Sequence, residues 1–297
     1  ALRMDRIERI GDPLMNRRRA VNGFMTAILW ASAAFLVLLL LAILIYVGVN
    51  GRQPLSWEFL TEPPRDSMTR GGISTPLVGT MQLVLVSMFF ALPIGVVTGL
   101  YFAEYSRDGL FTKILRLAIR SLAGVPSVVF GLFGLSLFVV TLGFGSSLLS
   151  AGLTLGCLTL PLIVTASEQA FRAVPQDYRD ASYALGATKW QTIVKVVLPA
   201  ASSTVITGAI LSIGRVAGET APIIFTGAAF YAPDIAKSLF DEVMALPYHI
   251  MVLATAGVNI EATRPIQYAT VLVLLALVLG VSSAGVVMRR KLRRSGR

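Results

Sequence analysis

Charged side chains are scarce in this 297-residue chain, at 14% against 55% hydrophobic residues. Soluble domains carry roughly 25% charged residues, so a water-soluble globule is excluded as the main class. Cysteine and histidine are nearly missing, with Cys157 and His249 the single example of each. An internal disulfide is therefore impossible, and the chain has too few Cys and His residues for a structural zinc site, which needs about four such ligands. Neither a catalytic constellation nor a metal site is predicted.

The two rare residues have simple expected roles. Cys157 lies in an apolar run and is predicted to pack as a small hydrophobic side chain. His249 lies in a loop beside Pro247 and Tyr248, where a surface or interface position is expected. The chain also lacks the G-x-x-x-x-G-K-[ST] pattern that holds nucleotide phosphates. If ATP drives this protein, a separate chain binds it.

Long apolar runs dominate the sequence, and about 20 such residues are enough to cross a bilayer. No charge occurs between Arg19 and Arg52, and a retained membrane helix is predicted there. An N-terminal segment, residues 1–22, precedes a transmembrane domain over 23–297, and external loops are expected at 50–75 and 228–265. The all-α prediction comprises six transmembrane helices at about 23–49, 76–103, 116–141, 148–170, 203–227 and 266–288. Residues 235–246 are a candidate amphipathic helix at the membrane interface.

The basic residues set the expected orientation and account for the net charge of +10. With both termini in the cytoplasm, the cytoplasmic segments 1–20, 104–120, 171–199 and 289–297 hold 20 Lys and Arg residues, and the external loops hold 5. This bias follows the positive-inside rule. Because the charges flank apolar spans, nucleic-acid binding is not predicted. The chain is expected to be a multi-pass protein of a bacterial inner (plasma) membrane, in contact with lipid.

The segment 171–199 predicts two short helices. Pro175 suits the first turn of one helix and Gly186 its C-terminal cap, while Thr188 suits the N-cap of the next, which is expected to end before Pro199. Tyr178, Ala181 and Leu185 fall on one face of the first helix. Spacing alone leaves two interpretations open, a docking surface or a helix lying on lipid headgroups.

A motif in this segment resembles a known family. Asp180-Ala181-Ser182, Gly186 and Val196-Val197-Leu198-Pro199 match in spacing the EAA loop of ABC importer permeases, Glu-Ala-Ala, three residues, Gly, nine residues, Ile-x-Leu-Pro. Asp for Glu, Ser for Ala and Val for Ile are the departures. The resemblance implies a type I permease fold, no enzyme activity on this chain, and a coupling helix that enters a separate ATPase subunit. The residues implied in coupling are Asp177, Tyr178, Asp180, Ala181, Ser182, Leu185 and Gly186.

A second run narrows the resemblance. Residues 214–227, from Gly214-Arg215 through Gly218-Glu219-Thr220-Ala221-Pro222, are similar to the corresponding segment of the PstA family of phosphate permeases. That likeness implies inorganic phosphate as cargo, a PstC-like second permease, two PstB-like ATPase subunits that bind ATP and Mg, and an extracytoplasmic PstS-like binding protein. No cofactor is expected on this chain itself. Sulfate, molybdate or phosphonate import is the alternative within the class, and an uncoupled channel or membrane scaffold is the alternative outside it.

The charges in that run have their own physical meaning. Arg215 is placed about 12 residues into the predicted fifth helix, near mid-bilayer depth, where a charge costs about 2.5 to 3.5 kcal/mol. Glu219 lies one turn further, but such a pair contributes only about 0.2 to 0.5 kcal/mol. A guanidinium suits phosphate oxygens, so a substrate pathway is one interpretation, and a structural ion pair facing a partner is the other. The pathway candidates are Arg215, Glu219, Ser212, Thr220 and Arg172. A polar stripe on the predicted fifth helix comprises Thr204, Gly208, Ser212, Arg215, Glu219 and Thr226. Arg172, at the cytoplasmic end of the predicted fourth helix, is an exit-side candidate or alternatively a positive-inside anchor.

Overall fold

The computed structural model describes residues 4–107, 109–256 and 260–295, and helices account for most of them. The longer helices are α1 (Met4–Gly51), α3 (Ser74–Leu100), α4 (Leu110–Ala123), α5 (Ser127–Gly134), α6 (Leu148–Arg172), α9 (Leu198–Gly218) and α12 (Ile260–Ser295). The shorter helices are α2 (Trp57–Thr61), α7 (Gln176–Ala184), α8 (Lys189–Thr192), α10 (Ala221–Ile224) and α11 (Leu246–Thr255). Wider π-helical turns continue α3, α5 and α8 at Tyr101–Tyr105, Leu135–Thr141 and Ile193–Val197.

Two compact units make up the chain. Residues 1–50, almost all in α1, form the first, and residues 51–297 form the second. A minimal antiparallel hairpin of β1 (Pro64–Arg65) and β2 (Arg70–Gly71) lies between α2 and α3 in the second unit. The expected all-helical polytopic architecture is confirmed. In the described ranges five helices are long and apolar enough to cross a membrane, and α4 with α5 makes a bent candidate for a sixth crossing.

The predicted third helix, about 116–141, is not one straight element. The structure has α4 from Leu110 and α5 from Ser127, with a bend of 101° between α4 and the α5 segment. Pro126 explains the break, because proline lacks an N–H and disfavours helical geometry at the preceding residue, Val125. The charged connection therefore contains a helix that the composition did not indicate.

The predicted fifth helix, about 203–227, is wrong at both ends. The helical run starts at Lys189 and passes through Pro199, where the π-helical turn Ile193–Val197 widens the backbone just before the proline. A widened turn of this kind accommodates a ring that would otherwise clash with the carbonyl four residues earlier. The run then ends at Gly218, four residues before Pro222. No π-helical turn precedes Pro222, so its ring would clash with the carbonyl of Gly218 if the helix continued.

Helices α3 and α6 form the centre of the second unit, and small residues let them approach closely. A Cβ placed on Gly95 would collide with Ile163, and one on Gly99 would collide with Ser167 and the backbone of Glu168. The spacing Gly95-x-x-x-Gly99 is therefore used for contact within this chain, as small-residue pairs do in membrane helices. Helix α9 packs on α6 and on α12.

The long segment between α9 and α12 is mostly irregular. Residues 235–245 contain no helix, so the predicted amphipathic helix at 235–246 is wrong, and the helical turns begin at Leu246 as α11. Tertiary hydrogen bonds hold the segment instead: the backbone N–H groups of Leu148 and Leu149, at the start of α6, donate to the carbonyls of Asp241 and Leu239. Backbone N–H groups of Ser238 and Lys237 donate to the Asp241 carboxylate and lower its pKa.

His249 is buried and not at a surface, which corrects the expectation for this residue. It lies in α11 with 2% of its surface exposed, and neither ring nitrogen has a hydrogen-bond partner among the described residues. Burial lowers the pKa of His249 to about 4, because the surroundings disfavour the charged imidazolium. The ring is therefore neutral at ordinary pH.

Candidate coupling surface and charged pairs

The connection between α6 and α9 is a compact helix–turn–helix that its sequence encodes locally. Helix α7 begins directly after Pro175. Gly186 ends it with φ of +83°, a left-handed conformation that glycine adopts without strain. Thr188 then starts α8 with a capping box, in which its hydroxyl accepts from the N–H of Gln191 and the Gln191 side chain accepts from the N–H of Thr188. The caps at Gly186 and Thr188 are those expected from the sequence, whereas Pro175, which was expected in the first turn of α7, precedes it as the N-cap residue.

Helix α7 presents most of the expected coupling residues outwards. Leu185 is 89% exposed and Tyr178 is 56% exposed, with Ala181 on the same face. Asp177, Asp180 and Gly186 are also exposed. An apolar, unpartnered cluster of this kind is a feature of surfaces that meet another molecule.

Ser182 differs from the other coupling candidates. Its hydroxyl is 2.9 Å from that of Thr192, across the turn between α7 and α8. It therefore braces the two helices against each other and contributes little to the outward face.

Arg179 anchors α7 to the rest of the second unit. Its guanidinium is 2.7 Å from the Glu104 carboxylate, and it also donates to the carbonyls of Val174 at 2.7 Å and Phe171 at 2.8 Å. The side chains of Arg179 and Glu104 are only 10% and 7% exposed. Because a buried ion pair must be well hydrogen-bonded to offset desolvation, this geometry fixes α7 to the end of α3.

Sequence reasoning missed this anchor. The available signal was Glu104, the first charge after the long uncharged stretch of α3. Lys189 strengthens the same junction: its ammonium donates to the carbonyl of Glu104 and lies 4.4 Å from the centre of the Tyr105 ring.

Arg215 and Glu219 are paired, with Arg215 Nε 3.3 Å from Glu219 Oε1 and side chains 37% and 18% exposed. The helix break changes their setting. Arg215 lies in the last turn of α9, not in its middle, and Glu219 is the extended residue that follows the helix. A cation at a helix C-terminus is favoured by the helix dipole. Arg215 is also 20 residues beyond Lys195, or about 30 Å along a helix rising 1.5 Å per residue.

The expected position of Arg215 about 12 residues into a helix that continues to 227 is therefore wrong, since the helix ends at Gly218. The predicted polar stripe of the fifth helix is also interrupted, because α9 ends at Gly218. Thr226 lies beyond the break, buried, with its hydroxyl donating to the carbonyl of Pro222. Ser212 is buried and donates to the carbonyl of Gly208. Thr220 is half-buried beside Glu219.

Arg172 belongs to a different cluster, at the opposite end of α9. The neighbouring Phe171 packs with Val197 and Ala201, at the beginning of α9. Arg172 Nη2 is 3.1 Å from the Glu168 carboxylate, which also pairs with Arg116 Nε at 2.9 Å. The structure therefore does not bring Arg172 near Arg215.

Among the described residues, no group of three or more His, Cys, Asp and Glu side chains is arranged to hold a metal ion. Taken together, the apolar spans and the exposed helix–turn–helix define a multi-pass helical membrane protein with a surface suited to a protein partner. The family model described as "Binding-protein-dependent transport system inner membrane component" matches residues 91–294. The chain belongs to this family of transport permeases.

Individual relatives agree with this membership. A protein of Bacillus subtilis (strain 168), "Probable ABC transporter permease protein YqgI", is 35% identical over 70% of this chain and 71% of its own length. "Phosphate transport system permease protein PstA" of Mycobacterium leprae (strain TN) is 34% identical over 93% of this chain and 91% of its own. In a solved bacterial alginate ABC transporter, a chain 13% identical superposes with a TM-score of 0.66 over 90% of this chain and 94% of that one, which establishes the importer permease fold.

Proposed function

We propose that this chain is the transmembrane permease subunit of an ATP-driven phosphate importer. The proposal of phosphate as the substrate rests on the similarity, over 93% of this chain, to a permease named for phosphate transport. The paired Arg215 is chemically compatible with it, since a guanidinium offers two-pronged hydrogen bonds to phosphate oxygens. This chain itself makes and breaks no bond of the substrate.

The coupling role is supported by the shape of the segment between α6 and α9. An ATPase subunit can transmit a movement only through a surface that is both accessible and firmly attached. Leu185 and Tyr178 provide the accessible surface, and the buried Arg179–Glu104 pair provides the attachment. ATP and Mg would be held by that separate subunit.

The remaining partners follow from the same proposal. A second, PstC-like permease completes the pathway, two PstB-like ATPase subunits dock on the α7 segments of the pair, and a PstS-like binding protein delivers phosphate on the other side. The excess of Lys and Arg in residues 1–20, 104–120, 171–199 and 289–297 supports a cytoplasmic location for both termini and for α7 in a bacterial inner membrane.

Uptake by the complete reconstituted complex tests the proposal. We expect ATP-dependent accumulation of labelled phosphate in vesicles, abolished when the ATPase subunit is omitted. Unlabelled phosphate should compete, and sulfate, molybdate and phosphonate should not. Competition by one of these other oxyanions at lower concentration than phosphate would reassign the substrate, while transport that proceeds without ATP would reject the importer class.

A further inference from the structure

Helix α4 has the composition of a helix that lies along a membrane surface. Leu110, Phe111, Ile114 and Leu117 are exposed apolar residues. A cationic row of Lys113, Arg116 and Arg120 follows another face at spacings of three and four. Interfacial helices combine an apolar face with a Lys- and Arg-rich polar face in this way.

An apolar cavity of about 460 Å³ opens in the angle between α4 and α5. Its lining is almost free of polar atoms and includes Leu122, Val129 and Phe133 from the bent pair and Cys157 from α6. The volume is in the roughly 300 to 1,000 Å³ range of ligand sites. The wall also includes residues of α3 and α6, which are candidate membrane spans, so the cavity is suited to a hydrocarbon chain.

A second, polar cavity of about 130 Å³ adjoins the first, and the two share Ile119 and Val164 in their walls. Arg116, Arg120 and Arg172 line it, against the single carboxylate of Glu168. Glu168 is already paired with Arg116 and Arg172. No ion pair joins Arg120 to any other residue in the described ranges, and its side chain is exposed. The polar cavity therefore has a surplus of positive charge next to an apolar space.

We propose that these adjoining cavities bind one anionic phospholipid, with its headgroup phosphate at Arg120 and an acyl chain in the apolar cavity. Free phosphate has no group for the apolar cavity, and an apolar helix of a partner has none for the arginines. A lipid with a net negative charge satisfies both halves. The site is independent of the transported substrate, so it stands or falls separately from the proposed function.

The test uses the complete transporter in vesicles containing phosphatidylglycerol with a photoreactive diazirine on its acyl chain. After irradiation, labelled peptides are mapped by mass spectrometry. We expect labelling of the cavity wall, at Val129, Phe133 or Cys157, that unlabelled phosphatidylglycerol suppresses and that phosphatidylcholine or inorganic phosphate does not. Arg120→Gln should reduce this labelling about ten-fold, since it removes a charge-assisted hydrogen bond to the headgroup phosphate that no residue outside the cavity walls makes.

Two further variants separate the alternatives. Lys113→Gln, a matched loss of one charge on α4 outside both cavity walls, should leave the labelling unchanged. Val129→Trp, which fills the apolar cavity, should abolish it while the complex still assembles. If Arg120→Gln and Lys113→Gln reduced the labelling equally, the proposed lipid site would be wrong. Suppression by inorganic phosphate would also contradict it, as would failure of Val129→Trp to assemble with the second permease, which would make the cavity a subunit contact.

Discussion

Glu104 and Arg179 are 75 residues apart in the chain, yet their side chains meet at 2.7 Å. Glu104 lies in the π-helical turn that continues α3, and Arg179 lies in α7. The pair is almost completely buried and is completed by the backbone carbonyls of Phe171 and Val174. It connects the segment proposed to contact the ATPase with the helices at the centre of the second unit. A surface held in this way moves with the membrane helices.

Removing one member of this pair should uncouple the transporter. In Arg179→Ala the Glu104 carboxylate is left buried without its partner, a change that costs about 3 to 5 kcal/mol in buried pairs. We expect a lower unfolding temperature of the purified complex and ATP hydrolysis that no longer drives uptake. The measurement is the ratio of phosphate transported to ATP hydrolysed. Arg107→Ala, an exposed arginine of the neighbouring connection, is the control; equal ratios in the two variants would remove the anchoring role.

Substitutions of Gly186, at the end of α7, can distinguish the effect of an added charge from the effect of backbone strain. No atom lies within 4 Å of a Cβ built there, so steric collision within this chain is not an issue. At φ of +83° an alanine is strained by about 1 to 2 kcal/mol, whereas Asn and Asp tolerate this region better.

We therefore expect Gly186→Asn to retain most uptake, Gly186→Ala to reduce it, and Gly186→Asp to abolish it by placing a carboxylate at the ATPase contact. Initial rates of ATP-dependent phosphate uptake, normalised to inserted protein, give the comparison. If Gly186→Asp transports as well as Gly186→Asn, this residue does not face the ATPase.

The proposed role of Arg215 in phosphate transport is tested with replacements that differ in charge and in the hydrogen bonds they can make. Arg215→Ala should lower phosphate uptake at least about ten-fold, since hydrogen bonds to a charged group contribute about 1.5 to 3 kcal/mol. Arg215→Lys keeps the charge but loses the two-pronged geometry, so we expect intermediate uptake. Glu219→Gln serves as a comparison, because it leaves the guanidinium present and weakens only its positioning. Normal transport by Arg215→Ala at equal expression would show that the pair is structural.

His249 predicts how stability depends on pH. Its pKa is about 4 in the folded protein, against about 6.5 in an unfolded chain. At pH 7 both states are neutral. As the pH falls from about 6.5 towards 4, only the unfolded state binds a proton, so the free energy of unfolding decreases, by up to about 3 kcal/mol.

The His249→Leu variant should remove this loss, because leucine has no proton to bind. Thermal unfolding of the complex at about pH 7.5 and about pH 5 measures the difference, and the wild type should lose more stability than the variant. An identical pH dependence in both would mean that His249 is solvated in the assembled transporter.

The membrane class and the caps around α7 were predictable because they depend on neighbours in the sequence. Uncharged stretches longer than a bilayer is thick specify spans in any tertiary context. Proline effects were equally local, and the breaks before Pro126 and Pro222 were present in the sequence although the predicted helices ran through them. Continuation through Pro199 was not predictable in that way, because it depends on a π-helical turn that the surrounding packing holds in place.

By itself, the sequence determined that this chain is a multi-pass helical protein with a capped helix–turn–helix between two spans. Those features depend on hydrophobicity, charge and backbone preference over fewer than about 30 residues. Only the tertiary structure decided that Arg179 is an anchor, that His249 is buried, that Arg172 and Arg215 lie at opposite ends of α9, and that an apolar and a cationic cavity adjoin at α4. Burial and long-range pairing depend on which helices become neighbours, and no local pattern records that.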